Sequence, residues 1–310
     1  MTKNMKTVVV LLSTYNGSKY LEEQLDSIFA QEGVTINLIV RDDGSTDDTK
    51  KILEKYSILH QNMKVLLGEN CGAENSFNKM CKYAKDTFDA DYYAFCDQDD
   101  KWLNNKLMVA IQKLNTYDDS LPNLYFSNLR MVDENLNYIR DMFGDDEVKI
   151  SKKMALIQLF TYGCTCVFNR QALIDYCCAE EKDIFYHDNW LFIVCAYLGN
   201  VYYDPQSYIL YRQHSNNLSG EKAVGFRHLF LRLRSAIYED LGHYFESYAK
   251  MLLEYFSNRI CETDKIFIIK IANYRNNIRS KMGLFFSRDY KTGKWSKDLL
   301  IKTRILINRL

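Results

Sequence analysis

The sequence has few of the residues that mark linkers, zinc sites and membrane spans. Its 310 residues contain two prolines, which excludes proline-rich linkers. The nine cysteines are odd in number and show no Cys-x-x-Cys pair, which argues against zinc knuckles and a disulfide framework. They instead predict a reduced, cytoplasmic setting. No stretch approaches the roughly 18–20 apolar residues that cross a bilayer, so a membrane span is not expected.

The composition allows a sizeable core and divides charge unevenly along the chain. Hydrophobic residues make up 47% of the sequence. The net charge is zero, yet residues 221–310 hold 18 Lys and Arg against 9 Asp and Glu, a balance of +9 that leaves −9 for residues 1–220. The basic segment is suited to an anionic surface such as lipid headgroups, and no nucleic-acid partner is predicted.

Apolar strands and amphipathic helices alternate over the first 130 residues. Strands are predicted at residues 7–13, 36–40, 63–67, 92–96 and 124–127, and helices at 20–29, 49–59, 77–84 and 103–114. This alternation predicts an α/β fold with a mostly parallel, doubly wound sheet flanked by helices. Ligands of such sheets bind outside the carboxyl ends of the strands.

The chain beyond residue 130 has a less regular pattern. Helices are predicted at residues 154–160, 170–178 and 191–198, and strands at 161–168, 201–203 and 207–212. From about residue 226 the pattern is helical and rich in arginine. We therefore expect one α/β domain over residues 1–220, followed by a basic helical C-terminal region over residues 221–310.

Three carboxylates follow the predicted fourth strand within four residues. They belong to Asp97, Asp99 and Asp100, with Gln98 among them and Trp102 two residues later. Like charges so close repel one another and resist the loss of water. A divalent cation such as Mg²⁺ or Mn²⁺ removes this conflict, because hard cations take oxygen ligands. A solvated acidic turn is the alternative, and it is favoured for an isolated Asp-x-Asp.

Polar loops also follow the first two predicted strands. Thr14, Tyr15 and Asn16 end the first strand, where Asn16 permits a tight turn and the Tyr15 ring can stack on a base. Asp42 and Asp43 end the second strand, where a carboxylate can accept a hydrogen bond from the imide N–H of a pyrimidine. Since parallel strands place their carboxyl ends at one edge, these loops and the acidic turn are expected to form one site. A simple turn and a helix cap are the structural alternatives.

Two further polar motifs lie near the end of the predicted α/β domain. His187-Asp188-Asn189-Trp190 precedes an apolar helix, so Asp188 is either an N-cap or a general base, and Trp190 is expected to pack. Arg212 and His214 follow the last predicted strand. Arg212 is a candidate partner of phosphate, and His214 is a candidate metal ligand or phosphate contact, with a structural role as the alternative.

Taken together, these motifs resemble the inverting glycosyltransferases of family 2 over roughly residues 6–220. The resemblance is carried by Thr14-Tyr15-Asn16-Gly17, Asp42-Asp43-Gly44-Ser45-Thr46-Asp47, Asp97-Gln98-Asp99-Asp100-x-Trp102 and His187-Asp188-x-Trp190, in this order and spacing. The Gln between the aspartates and the Trp after them resemble a bacterial rhamnosyltransferase-like branch. The resemblance implies a GT-A fold and a nucleotide-diphosphate sugar donor, dTDP-rhamnose or a UDP-sugar. It also implies an acceptor hydroxyl on a glycan or lipid-linked saccharide of bacterial surface polysaccharide synthesis.

The resemblance also implies roles for the residues on the nucleotide side. Carried over by position, Thr14, Tyr15 and Asp43 (or Asp42) hold the nucleotide base, with Asn16 in the same loop. Asp97 lies near the ribose.

On the reaction side, the resemblance implies that Asp99 binds Mg²⁺ or Mn²⁺ and that Asp188 is the catalytic base. The family often has Glu-Asp where this chain has His187-Asp188, so the role of His187 is open. The residues themselves give the further substrate-site candidates Gln98, Asp100, Trp102, His187, Trp190 and Arg212, and His214 as a further candidate metal ligand.

Two alternatives to a glycosyltransferase follow from the same residues. A nucleotidyltransferase also combines carboxylates, a metal and a doubly wound sheet, but it needs a Gly- and Lys-rich phosphate loop, and residues 14–19 lack the glycines. A catalytically inactive nucleotide-sugar-binding module is the other alternative, against which the complete set of carboxylates argues.

The basic C-terminal segment carries aromatic and aliphatic residues among its Lys and Arg, a pattern typical of interfacial helices. These apolar residues are Phe285, Phe286, Trp295, Leu299, Leu300 and Ile301. We therefore predict a peripheral contact with the inner face of the cell membrane, near a lipid-linked acceptor. A helical lid or a homodimer face is the alternative.

Overall fold

A computed structural model describes residues 5–144, 150–158, 161–214, 243–292 and 295–310. The chain divides into two compact units. The first comprises Met1–Val148 and Phe160–Ser215, and the second comprises Lys149–Leu159 and Asn216–Leu310. The predicted domain boundary near residue 220 and the start of the predicted helical pattern near residue 226 lie outside the described residues.

The strands of the first unit belong to one sheet. In chain order they are β1 (Lys6–Thr14), β2 (Val34–Asp42), β3 (Met63–Leu67), β4 (Tyr92–Cys96), β5 (Lys101–Trp102), β6 (Asn123–Val132), β7 (Tyr138–Asp141), β8 (Val167–Asn169) and β9 (Asn200–Arg212).

The helices are distributed over both units. In chain order they are α1 (Leu21–Phe29), α2 (Thr49–Leu59), α3 (Ala73–Thr87), α4 (Lys106–Leu114), α5 (Lys152–Ala155), α6 (Arg170–Tyr176), α7 (His187–Leu198), α8 (Tyr244–Phe256), α9 (Glu262–Asn273), α10 (Ile278–Phe285) and α11 (Trp295–Leu306). Helices α5 and α8 to α11 belong to the second unit.

The sheet has the strand order β3-β2-β1-β4-β8-β6-β9-β5, with β7 paired to β6. Strand β1 lies parallel to both β2 and β4, and β2 lies parallel to β3. Strand β8 is antiparallel to β4 and β6, and β6 is parallel to β9. Because the chain runs from β1 to β3 on one side and then returns to β4 on the other, a crevice opens at the carboxyl ends of β1 and β4.

The central strands form because their residues are apolar without interruption. Every residue from Val8 to Leu12 is fully buried, as is every residue from Tyr93 to Cys96. Continuous apolar runs of this kind suit strands that helices cover on both faces. The predicted α/β class, with a parallel core flanked by helices, is confirmed.

Some predicted elements were wrong in extent. Residues 201–203 and 207–212 belong to the single strand β9, and its register against β6 shifts between Ser127 and Asn128, opposite Pro205. The predicted strand at 161–168 is reduced to Val167–Asn169, with a 3₁₀ turn over Gly163–Thr165 before it. Strands β5 and β7 were not predicted.

The second unit is helical in its described part, as expected for this region. Tyr248, Leu252, Ile268, Ile271 and Leu284 are among its fully buried residues. Within the described ranges, no helix is long and apolar enough to cross a membrane.

Candidate active site

The predicted polar loops meet at one edge of the sheet. In the parallel register Thr14 lies opposite Asp42, and Leu12 lies opposite Cys96, so β1, β2 and β4 end side by side. Asp97 directly follows β4. The sequence-based expectation that these loops share an edge therefore agrees with the geometry.

Gln98 ties the loop after β1 to the loop after β4. The Thr14 hydroxyl and the Tyr15 amide both donate to Gln98 Oε1, at 2.7 and 2.9 Å. Gln98 Nε2 donates in return to the Tyr15 carbonyl at 3.2 Å. The Tyr15 side chain is 46% exposed, so its ring is open to a planar ligand while its backbone is held.

Asn16 connects the loops after β1 and β2. Its amide donates to the Ser45 hydroxyl at 2.9 Å, and its side-chain oxygen accepts from the Thr46 amide at 2.8 Å. Its φ of 49° lies in the left-handed region, which asparagine tolerates. Asn16 therefore shapes the nucleotide-side loops through its backbone as well as its side chain.

The two aspartates after β2 have different environments. Asp43 accepts hydrogen bonds from Arg41 and from the Cys71 and Gly72 amides, the latter two at 3.0 and 2.8 Å. Burial alone would raise the pKa of Asp43, but these hydrogen bonds lower it below its ordinary value. Asp42 is fully buried; its Oδ2 accepts from the Ser45 amide, and its Oδ1 has no hydrogen-bond partner among the described residues.

The acidic turn after β4 meets the end of β9. The Oδ2 atom of Asp99 lies 2.8 Å from Nε2 of His214, whose ring stacks on Tyr20 at 5.2 Å between centroids. An oxygen and a nitrogen donor on adjacent sites of an octahedral cation are about 3 Å apart. The spacing and donor types of the pair are compatible with a hard divalent cation, and 2.8 Å is also the length of an ordinary hydrogen bond between the two side chains.

The other two aspartates of this turn, Asp97 and Asp100, have raised pKa values. Burial, reinforced by Asp99, raises the pKa of Asp97 to about 7. Burial also raises the pKa of Asp100 well above its ordinary value. A further group of possible ligand atoms comprises Asp97, Asp100 and Cys164, within 4.8 Å of one another. Burial raises the pKa of the Cys164 thiol, and a thiol is a softer ligand than Mg²⁺ or Mn²⁺ prefers.

Arg212 is engaged with protein groups rather than open to a phosphate. Its guanidinium donates to the Glu23 carboxylate, to the Glu134 carbonyl at 2.5 Å and to the Asp99 carbonyl at 2.9 Å. Its amide donates to Asp100 Oδ1 at 3.2 Å. Arg212 thus holds the acidic turn in place through hydrogen bonds to Asp99 and Asp100.

The two tryptophans of the motifs are packing residues. Trp102 is buried, and the Lys106 ammonium lies 3.8 Å from the centre of its ring. Trp190 is also fully buried, and its indole N–H donates to the Tyr176 carbonyl at 3.1 Å. The sequence did not indicate that Lys106 would be buried, because it is one of many lysines. Burial lowers the pKa of Lys106 to about 8.

Asp188 lies in the first turn of α7 rather than at its N-cap, which is Tyr186. The N-cap alternative for Asp188 was therefore wrong. The pKa of Asp188 is raised to about 6, mainly by burial. His187 lowers this pKa, whereas the charge of Glu74 raises it further. The Asp188 carboxylate in turn helps to raise the pKa of Asp97, so the two belong to one electrostatic site.

Glu74 is a site residue that the sequence did not reveal. Its Oε2 atom lies 2.7 Å from His187 Nδ1 and accepts from the His187 amide at 2.9 Å. In the sequence, an acidic residue in the first turn of α3 suggests only that it complements the helix dipole.

Comparisons with known proteins agree with this fold. The model of the family "Glycosyl transferase family 2" matches residues 9–177. A dTDP-rhamnosyl transferase, RfbG of Shigella flexneri, is 31% identical over 238 residues, which is 72% of this chain and 78% of RfbG.

Solved structures show a similar fold. Staphylococcus aureus TarS 1–349 in complex with UDP-GlcNAc has a TM-score of 0.57 at 16% identity, with 96% of this chain and 90% of TarS covered. The mannosyltransferase PcManGT of Pyrobaculum calidifontis, in complex with GDP-Man and Mn²⁺, has a TM-score of 0.54 at 15% identity, with 97% and 86% covered. The chain therefore has a GT-A fold and belongs to glycosyl transferase family 2.

Proposed function

We propose that this protein transfers a sugar, with inversion, from a nucleotide-diphosphate sugar to a hydroxyl of a glycan or lipid-linked saccharide in bacterial surface polysaccharide synthesis. The observation that carries the proposal is Asp188, a half-buried carboxylate in the first turn of α7, which has a raised pKa and interacts electrostatically with Asp97 of the acidic turn after β4. A general base needs a pKa close to the working pH, and few surface aspartates meet this condition.

The donor is bound by the loops after β1 and β2. The exposed Tyr15 ring stacks on the base, and Thr14 with Asp43 or Asp42 contacts the nucleoside, while Asp97 lies near the ribose. Among donors, dTDP-rhamnose is the first choice, because the relative RfbG is named a dTDP-rhamnosyl transferase. A UDP-sugar is the second choice, because UDP-GlcNAc is bound in the TarS complex.

Asp99 and His214 would hold a divalent cation, Mg²⁺ or Mn²⁺. The fit of their donor atoms supports this, as does the Mn²⁺ in the PcManGT complex. When bound, such a cation stabilises negative charge on a leaving diphosphate.

The reaction is a single displacement at the anomeric carbon. The acceptor oxygen forms a bond to this carbon as the bond to the diphosphate oxygen breaks, and the acceptor proton passes to the Asp188 carboxylate. Attack from the face opposite the leaving group inverts the configuration. Arg212 and Gln98 keep the acidic turn and the nucleotide loop in register.

The proposal is tested by release of nucleoside diphosphate from dTDP-rhamnose, UDP-glucose, UDP-GlcNAc and GDP-mannose in the presence of Mn²⁺. We expect turnover with one donor, and a loss of about 10²–10⁴-fold in kcat for Asp188→Asn, with donor binding retained. Asp86→Asn, an exposed aspartate on α3, is the control and should turn over normally. Undiminished transfer by Asp188→Asn, or retention of anomeric configuration in the product, would contradict the proposal.

For the second unit we propose contact with an anionic lipid surface. Trp295, Leu299 and Leu306 are 79%, 54% and 46% exposed, and their spacing places them on one face of α11, together with Lys302. The balance of +9 over residues 221–310 is complementary to anionic headgroups.

Flotation with vesicles of phosphatidylglycerol and phosphatidylcholine tests this contact. We expect the wild type to float with anionic vesicles and Trp295→Ser/Leu299→Ser to float much less. Equal flotation of the two proteins would refute the contact, and a concentration-dependent dimer lost in the variant would assign the face to a second copy of the chain.

A further inference from the structure

The N-termini of helices α3 and α7 converge on the carboxylate of Glu74. Glu74 lies in the first turn of α3, and its Oε2 atom accepts from the amide of His187, the first residue of α7. The first amides of a helix have no partner within the helix and carry partial positive charge. Tyr186, the N-cap of α7, gives no side-chain cap in the described structure, so Glu74 caps α7 from another helix.

The side chain of His187 is held by one hydrogen bond and two aromatic rings, while its Nε2 atom is buried without a hydrogen-bond partner among the described residues. Its ring stacks on Phe77 at 4.1 Å and meets Phe95 edge-on at 4.7 Å. A Cβ atom at Gly163 would lie 2.5 Å from His187 Nε2, so only glycine leaves room for the ring. With Nδ1 2.7 Å from Glu74 and only 7% of the residue exposed, the imidazole has one orientation.

Glu74 and His187 form an ion pair. Burial opposes both charges, yet the Glu74 carboxylate raises the pKa of His187, and His187 lowers the pKa of Glu74. When His187 is protonated, the pair places an imidazolium next to Asp188 and a carboxylate behind it. Of these charges, the imidazolium lowers the pKa of Asp188 and Glu74 raises it.

The same segment of chain also reaches the nucleotide side. The amides of Cys71 and Gly72 donate to Asp43, and Glu74 follows two residues later. Gly72 has a φ of 85°, which lets the chain turn from Asp43 into α3. Four residues thus connect the loop after β2 with the start of α7.

We infer that Glu74 and His187 form a positioning pair, which fixes the N-terminus of α7 and thereby the carboxylate of Asp188 for catalysis. This inference rests on the proposed function, in which Asp188 is the base. The carboxylate at the start of α7 is supplied by Glu74 of α3.

The pair acts through Asp188 and does not itself contact donor or acceptor, so its loss should reduce kcat and leave the KM for the donor unchanged. A displacement of a catalytic group by about 1 Å costs on the order of 10²-fold in rate. Glu74→Gln and His187→Gln should each lower kcat by about 10–100-fold, with KM for the donor within about twofold. Because the two residues act as one unit, either substitution removes the same effect. The kcat of the double variant should therefore be no lower than that of the slower single variant.

A charge-specific rescue separates positioning from general packing. His187→Glu places a second carboxylate beside Glu74 and should be the slowest variant. Adding Glu74→Gln should recover at least about tenfold of its kcat, since the amide can donate to the new carboxylate. Glu181→Gln is the matched control, because Glu181, in a 3₁₀ turn over Glu181–Asp183, also pairs with a residue of α3, Lys82, at 3.9 Å, and its kcat should be unchanged.

The outcomes are distinct from those that test the proposed function. If Asp188→Asn abolishes turnover while Glu74→Gln and His187→Gln keep near-normal kcat, the positioning pair is refuted and the base is not. Multiplying losses in the double variant, or no recovery of His187→Glu by Glu74→Gln, would also refute it. Where His187→Glu fails to fold, as judged by thermal melting, the two Gln variants and their double decide the question.

Discussion

The carboxylate of Asp99 and the imidazole of His214 lie 2.8 Å apart, although 115 residues separate them in the chain. Asp99 follows the parallel strand β4, and His214 follows β9, which enters the same sheet next to β6. The two strand ends thus bring a carboxylate and an imidazole together at the edge of the sheet where the loops after β1 and β2 also lie.

The first prediction concerns this pair. His214→Ala should raise the Mn²⁺ concentration that gives half-maximal turnover by about 10–100-fold, since one donor atom is lost and the other loses its partner. Direct Mn²⁺ binding, followed by electron paramagnetic resonance, should weaken in parallel. Asp86→Asn serves as the control, and Mn²⁺ binding that is unchanged in His214→Ala would show that the histidine is not a ligand.

The second prediction concerns Gln98, which forms three hydrogen bonds to Thr14 and Tyr15. Gln98→Ala should lower the free energy of unfolding by about 1–3 kcal/mol, because each bond contributes about 1 kcal/mol and the site is partly exposed. It should also weaken binding of nucleoside diphosphates, since the loop that carries Tyr15 is released. Urea unfolding and calorimetric titration measure the two effects, and a variant as stable as the wild type would contradict the first.

The sequence predicted the first half of the sheet well, because β1 and β4 contain short apolar runs that are buried on both faces of the sheet. It failed at β9, where Pro205 interrupts the apolar pattern although the strand continues past a register shift against β6. It also missed β5, whose two residues are too few to show any alternation.

The site shows the same division between local and distant information. Asp97, Asp99 and Asp188 were recognisable because each follows or begins an element whose pattern is clear. Glu74 was not recognisable, because its partner His187 is 113 residues away and only the packing of α3 against α7 brings them together. A sequence pattern gives information about residues that are close along the chain. It does not show that a carboxylate from one helix caps another.

The third prediction concerns the pH dependence of turnover. A general base acts in its deprotonated form, so protonation of Asp188, whose pKa is about 6, should make kcat fall about tenfold per pH unit below pH 6. An ordinary aspartate with a pKa of 3.8 would show no decline until much more acidic conditions. The profile should be measured with one donor between pH 4.5 and 8, and a flat profile over this range would argue against Asp188 as the titrating base.

The fourth prediction concerns Lys106, which is buried against the Trp102 ring and whose pKa burial lowers from 10.5 to about 8. Between these two pH values the unfolded chain binds more protons at this residue than the folded protein does. Stability therefore rises with pH over this interval, by an amount on the order of 3 kcal/mol if the whole shift is realised.

Lys106→Met should remove this rise. Other groups titrate in the same interval, so the informative quantity is the difference in free energy of unfolding between the wild type and Lys106→Met, measured by urea unfolding from pH 7 to pH 10. At pH 7 the variant should be as stable as the wild type or more stable, because methionine fills the space without a buried charge. As the pH increases, the free energy of unfolding of the wild type should increase relative to that of the variant. A difference that does not change with pH would mean that Lys106 has its ordinary pKa. Water would then reach its ammonium group despite the burial of the side chain.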